Sequence, residues 1–120
     1  MALFYADGVY ISSTAPDRIA DWYREKLGCP KPRKGHDDVQ EVLILSLGSS
    51  DPNSGIWIGR EPRPPDIPAP LIYANDIERA HKTLTERGVN VTAIETDRQG
   101  SRYFELRDPE GNVVEISEEP

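Results

Sequence analysis

Apolar and polar positions along this chain follow two rhythms, and the order of the rhythms repeats. Residues 4–12 predict a strand. From there the period changes to helical: Ile19, Trp22, Tyr23 and Leu27 recur at the spacing of one helix face. Thr14-Ala15-Pro16-Asp17 in front has the form of a capping box, with proline early in the first turn, where its missing N–H costs nothing. Gly28 supplies the stop. Residues 29–38, CPKPRKGHDD, predict an irregular polar loop. Residues 41–47 and 54–59 predict two further strands.

The second half runs through the same order. Residues 71–74 predict a short strand, and Asn75 a helix cap, with Asp76 and Glu78 near the positive end of the helix. Ile77, Ala80, Leu84 and His81 share the inward face, and Gly88 ends the helix. Residues 89–96 predict a strand. Residues 102–117 predict a closing hairpin around Asp108-Pro109-Glu110-Gly111-Asn112, in which proline fixes one backbone angle and glycine or asparagine tolerates a positive one. Each half is thus strand, helix, then about three strands. The join, EPRPPDIPAP at 61–70, holds five prolines and predicts an extended linker. Two similar modules packed into one sheet system follow, the helices covering one face and leaving the other concave.

Length and charge narrow the function. The 120 residues suit one domain. Module one spans about 1–61, the linker 61–70 and module two about 70–120. A net charge of −7 disfavours nucleic acid and anionic membranes as partners. The single cysteine, Cys29, excludes an intrachain disulfide and a thiolate cluster, fits a reducing cytoplasm, and reads as a small buried hydrophobe. The longest apolar run, at 42–47, is far short of the roughly twenty residues that cross a bilayer. The opening MALFYADGVY lacks the pattern of a signal peptide. Gly48-Ser49-Ser50 reads as a turn, not a phosphate loop, and no Gly-x-Ser-x-Gly elbow occurs.

Three segments resemble the vicinal oxygen chelate superfamily, the glyoxalase, bleomycin-resistance and extradiol dioxygenase group. Asp17-Arg18-Ile19-Ala20-Asp21-Trp22-Tyr23-Arg24-Glu25-Lys26-Leu27-Gly28 is similar to its first helix, Asn75-Asp76-Ile77-Glu78-Arg79-Ala80 with Gly88-Val89 to its second, and the 104–116 hairpin to its closing hairpin. The resemblance implies an α+β fold of two tandem βαβββ modules, a curled mixed sheet around a cavity with helices outside, and a homodimer. It also implies metal ligands at four strand positions in the metal-dependent members. Carried over, these positions fall at Gly8, Ile58, Ala69 and Glu115, and only Glu115 has a ligand-type side chain. A divalent site needs three or four donors, so neither a metal centre nor a cofactor is expected. His36, beside Asp37 and Asp38, reads as a solvated loop residue, and His81 as a partly packed boundary residue.

Strand alternation then sketches a cavity. Glu115 and Val113 point inward, and pairing 105 with 115 adds Tyr103 and Glu105. The same parity selects Gly8, Tyr10 and Ser12, then Ile56 and Ile58, then Ala69, Leu71 and Tyr73, and sends Trp57 to the helix side. Two adjacent carboxylates raise at least one pKa, which makes Glu115 and Glu105 candidate general bases or cation receptors unless Arg60, Arg102 or Arg107 neutralises them. The reading that follows is a metal-free, bleomycin-resistance-like protein that sequesters or carries a small hydrophobic or cationic organic ligand. The alternatives are a glyoxalase-like lyase, isomerase or dioxygenase, using a non-standard metal site or Glu115 as base, and a scaffold with a filled cavity.

Overall fold

The computed structural model describes residues 3–6, 8–48 and 54–119, so the turn read at Gly48-Ser49-Ser50 lies largely outside the described residues. The chain opens with β1 (Phe4–Tyr5). The first module follows as β2 (Val9–Ser12), α1 (Pro16–Leu27), β3 (Arg33–His36), β4 (Glu41–Leu45) and β5 (Ile56–Gly59). The second comprises β6 (Leu71–Ala74), α2 (Ile77–Glu86), the short β7 (Asn90–Val91) and β8 (Glu95–Thr96), β9 (Arg102–Arg107) and β10 (Val113–Glu118). One sheet has the order β2-β5-β4-β3, and the other β1-β6-β10-β9-β7 with β8 also against β9. In each module the first strand runs parallel to the last, and the last antiparallel to its predecessor. Parallel neighbours need a crossover and antiparallel ones a hairpin, so strand-helix-strands closes in this way twice.

Four local expectations change. Residues 4–12 form two strands in different sheets: β1 pairs with β6 of the second module and β2 with β5 of the first. The polar stretch after α1 contains β3, which pairs from Arg33 opposite Ile44 to His36 opposite Glu41. It is an edge strand held by its neighbour, and its own composition carries no alternating signal. Residues 89–96 break into β7 and β8 around Thr92, whose hydroxyl accepts from Glu105 N at 2.9 Å in place of a ladder carbonyl. The caps also move. Ala15 is the N-cap of α1 and its methyl offers no cap acceptor, while the Thr14 hydroxyl donates to Glu110 at 2.8 Å. On α2 the cap is Asp76, not Asn75, its carboxylate accepting from Arg79 N at 3.1 Å.

One hydrophobic core joins the modules. Ile19, Ala20, Tyr23 and Leu27 of α1 and Ile77, Ala80 and Leu84 of α2 pack with Ile11, Ile56 and Ile58 from one sheet and Ile72, Phe104, Val114 and Ile116 from the other. Polar ties reinforce this junction. Tyr23 donates to the Asp108 carboxylate at 2.8 Å in the interior. Glu110 accepts from Ser13 Oγ, Thr14 N and Thr14 Oγ1. The Asn112 amide donates to Ser12 O at 3.1 Å. Cys29 is buried, which pushes its thiol up to about 12 and leaves it inert.

Candidate functional site

The open face of the first module is set by register. Tyr10 lies opposite Trp57, which lies opposite Ile44 on its other side. Directly opposed residues share a face, so Tyr10, Trp57, Ile44 and Val42 stand together. Val42 and Ile44 are buried but do not belong to the main core. Ile56 and Ile58 lie on the other face, fully buried against the helices. The register thus puts Trp57, and not Ile56 or Ile58 as expected, on the face of Tyr10, while Ile58 lines a different cavity at the start of α1. The strand is one residue out of the assumed phase, and a one-residue shift exchanges the faces.

A cavity of about 430 Å³ lies on this face, lined by Gly8, Tyr10, Val39 and Trp57 and by Pro62, Pro64 and Ile67 of the linker. The linker is thus a wall and not a plain spacer. Tyr10 donates to Glu61 O at 2.6 Å, and a turn closes between Ile67 N and Pro64 O at 3.0 Å. Burial is the largest of the effects that hold the Tyr10 phenol above its ordinary value. Val39 is 74% and Ile67 39% exposed, and they stand out among the described residues as large apolar side chains turned to water.

The open face of the second module is acidic. Glu105 lies opposite Glu115, which lies beside Leu71, and Tyr103 lies opposite Ser117 beside Tyr73. A cavity of about 520 Å³ is lined by Thr92, Glu95, Asp97, Tyr103, Glu105 and Glu115. Partial burial, then the charges of Glu105 and Asp97, raise the Glu115 carboxyl above its usual value. Among the described residues no arginine pairs with Glu105 or Glu115. Arg102 binds Glu78 at 2.9 Å and Glu118 at 3.3 Å, and Arg60 donates to Thr14 O at 2.7 Å. Tyr103 donates to Glu95 at 3.2 Å, and Tyr73 stacks on Tyr5 with ring centres 5.2 Å apart.

The expected site residues therefore divide. Gly8 and Tyr10 line one cavity and Tyr103, Glu105 and Glu115 the other, and the two share no residue. The shared core lies on the helix-bearing sides of both sheets, so the open faces do not merge within one chain. Ser12 and Tyr73 are half-buried, Val113 is 38% exposed beside Glu115, and Ala69 is exposed in the linker. Trp57, Val39, Ile67, Thr92, Glu95 and Asp97 also line these cavities and were not among the expected residues. A count from the helix starts would have found Trp57: Tyr10 and Leu71 stand six residues before Pro16 and Ile77, and pair with Trp57 and Glu115 respectively. The residue of module one equivalent to Glu115 is thus Trp57, one position before Ile58.

Gly8, Trp57 and Ala69 supply no metal donor, and no three His, Cys, Asp or Glu side chains among the described residues are grouped to hold an ion. His36 is exposed at the end of β3, and His81 contacts Thr92 O at 2.9 Å with its ring edge-on to Phe104.

Two βαβββ modules with matching strand order, each with an open sheet face, define a duplicated α+β fold. The chain belongs to the Glyoxalase/Bleomycin resistance protein/Dioxygenase superfamily, whose sequence profile matches residues 7–116. Its fold is that of a superfamily member from Sphaerobacter thermophilus, with 24% identity over 96% of this chain and 97% of that one and a TM-score of 0.72. A Streptomyces protein described as antibiotic-binding gives a TM-score of 0.72 at 18% identity over 100% and 99%. A lactoylglutathione lyase from Agrobacterium tumefaciens gives 0.65 at 15% identity over 93% and 91%. No curated protein matches this chain.

Proposed function

We propose that this protein binds a small organic molecule, sequestering or carrying an aromatic or cationic compound, and works as a homodimer. The observation that carries the reading is the apolar wall formed by half-buried Trp57 with exposed Val39 and Ile67 in a cavity of drug-sized volume. Because the apolar and the acidic cavities stay separate in one chain, the proposal pairs the module-one face of one protomer with the module-two face of its partner. Such a pocket would stack an aromatic ring on Trp57 and set a positive charge against Glu105 and Glu115. The antibiotic-binding description of one structural neighbour supports this class. Fold alone does not select it, since the lyase shares the architecture. The single buried cysteine is compatible with a reducing cytoplasm.

The test is titration with aromatic cations such as proflavine and ethidium, read by melting temperature and by sedimentation. Saturating ligand at about a hundred times Kd adds about 2.7 kcal/mol of stability. Absence of any shift across such a panel, or a monomer that binds unchanged, would sink the proposal. The raised Glu115 carboxyl favours a second reading, metal-free proton transfer in a lyase or isomerase. That reading requires turnover that Glu115→Gln abolishes with the fold intact.

A further inference from the structure

Gln40 sits where three parts of the molecule meet. The turn that carries it is held by Asp37, whose carboxylate accepts from Val39 N at 2.8 Å and Gln40 N at 2.9 Å. The side-chain carbonyl of Gln40 accepts from Arg60 N at 2.8 Å and Glu61 N at 3.1 Å, where the chain leaves β5 for the linker. Its amide nitrogen donates to the Tyr10 hydroxyl at 2.8 Å, and that hydroxyl donates to Glu61 O at 2.6 Å. Gln40, Tyr10 and Glu61 thus close a ring of hydrogen bonds in the lining of the Trp57 cavity.

Two observations make this more than a local tie. A Cβ at Gly59 would stand 2.5 Å from Gln40 Nε2, so the amide lies on a surface that only glycine leaves open. Gln40 and Glu61 also line a second cavity of about 440 Å³ at the start of α1, bounded by Pro16, Lys34 and Arg60. Gln40 and Glu61 thus line both spaces. Among the described residues, the hydrogen bonds of 62–69 stay within the linker, Arg63 to Ile67 O and Ile67 to Pro64 O. The wall presented by Pro62, Pro64 and Ile67 is anchored on this side through Glu61.

We propose that Gln40 determines the specificity of the Trp57 pocket: it fixes the position of the linker wall, and its loss opens the pocket toward the cavity at the start of α1. This rests on the binding reading above. Gln40 acts through Tyr10 and the linker and is a positioning residue.

The experiment compares proflavine, a planar three-ring cation, with ethidium, a bulkier aromatic cation. Binding is read by quenching of Trp57 in a Trp22→Phe background, since the chain has two tryptophans. Gln40→Ala removes the amide, and Gly59→Ala displaces it while Gln40 itself is kept. Both variants should shift the ethidium-to-proflavine affinity ratio at least about fivefold toward ethidium and speed hydrogen exchange at the Arg60 and Glu61 amides about tenfold. Gln40→Glu, which still accepts from both amides, should restore slow exchange and most of the ratio. If either dye quenches the parent and the ratio is unchanged in both alanine variants, this proposal falls and the pocket reading stands. If neither dye quenches the parent, both fall together.

Discussion

Trp57 occupies in the first module the place that Glu115 occupies in the second: each stands on the last strand, opposite the residue six positions before its helix. The duplication thus puts an indole and a carboxylate at equivalent points of two sheets. The open faces diverge in chemistry from there, one apolar beneath a proline-rich wall and one acidic with tyrosines.

Trp57 is half-buried on a face outside the main core, so its truncation should cost binding more than folding. Trp57→Ala is expected to weaken proflavine about tenfold, or roughly 1.4 kcal/mol, while calorimetry shows one cooperative transition. Unchanged proflavine affinity would remove the indole from the pocket.

Glu115 predicts a pH signature. Its folded carboxyl is raised, chiefly by partial burial and then by Glu105 and Asp97. A raised folded carboxyl binds its proton more tightly than the unfolded chain does, so stability falls as pH climbs from the unfolded value through the raised one. Glu115→Gln removes that loss. Its melting temperature should exceed the parent's by roughly 1–3 °C at pH 7 and match it near pH 4. An equal gain at both values would assign the effect to packing.

Glu110 predicts the opposite slope. Hydrogen bonds from Ser13, then from Thr14 N, hold its carboxyl below the usual range. Its contribution is full above the unfolded carboxylate value and is lost as pH falls through the folded one. Glu110→Gln should melt lower than the parent at neutral pH and converge with it in acid. Differential scanning fluorimetry across pH 2.5–7 (roughly the window that linkage sets) reads this directly.

Tyr23 and Asp108 form the buried tie between the modules. Besides Tyr23, Asp108 accepts from Glu110 N, Asn112 N and Asn112 Nδ2, each at 2.9 Å. Tyr23→Phe leaves one carboxylate lobe short of a donor in the interior. The expected loss is roughly 1.5–3 kcal/mol in chemical denaturation, with little change in dye binding. A loss below about 0.5 kcal/mol would mean that water replaces the phenol.

Much of the fold was legible. Helical spacing at Ile19, Tyr23 and Leu27, the left-handed Gly28 and the Asp108–Asn112 turn are local signals, and each lies where the pattern placed it. The register assumed for that hairpin, Glu105 opposite Glu115, is the one observed. The facing of the strands around the candidate site was half legible. Parity held on the second module, where a hairpin fixes phase, and failed on β5, where Ile56, Trp57 and Ile58 are all apolar and give alternation nothing to lock on. β3 escaped notice because an edge strand of Arg, Lys, Gly and His carries no apolar period.

The sequence by itself determined the duplicated strand-helix-strands order, the donor-free residues Gly8 and Ala69 at positions where the resemblance implies metal ligands, and the acidic pair on the closing hairpin. These depend on residue identity and on neighbours a few positions away. Only the tertiary structure decided that the first strand divides between two sheets, that Trp57 faces the open side, that the proline stretch folds back as a wall, and that the two cavities are separate. Each of those is settled by contacts between residues distant in the chain, whose burial free energy outweighs the local pattern and leaves no periodic trace in it.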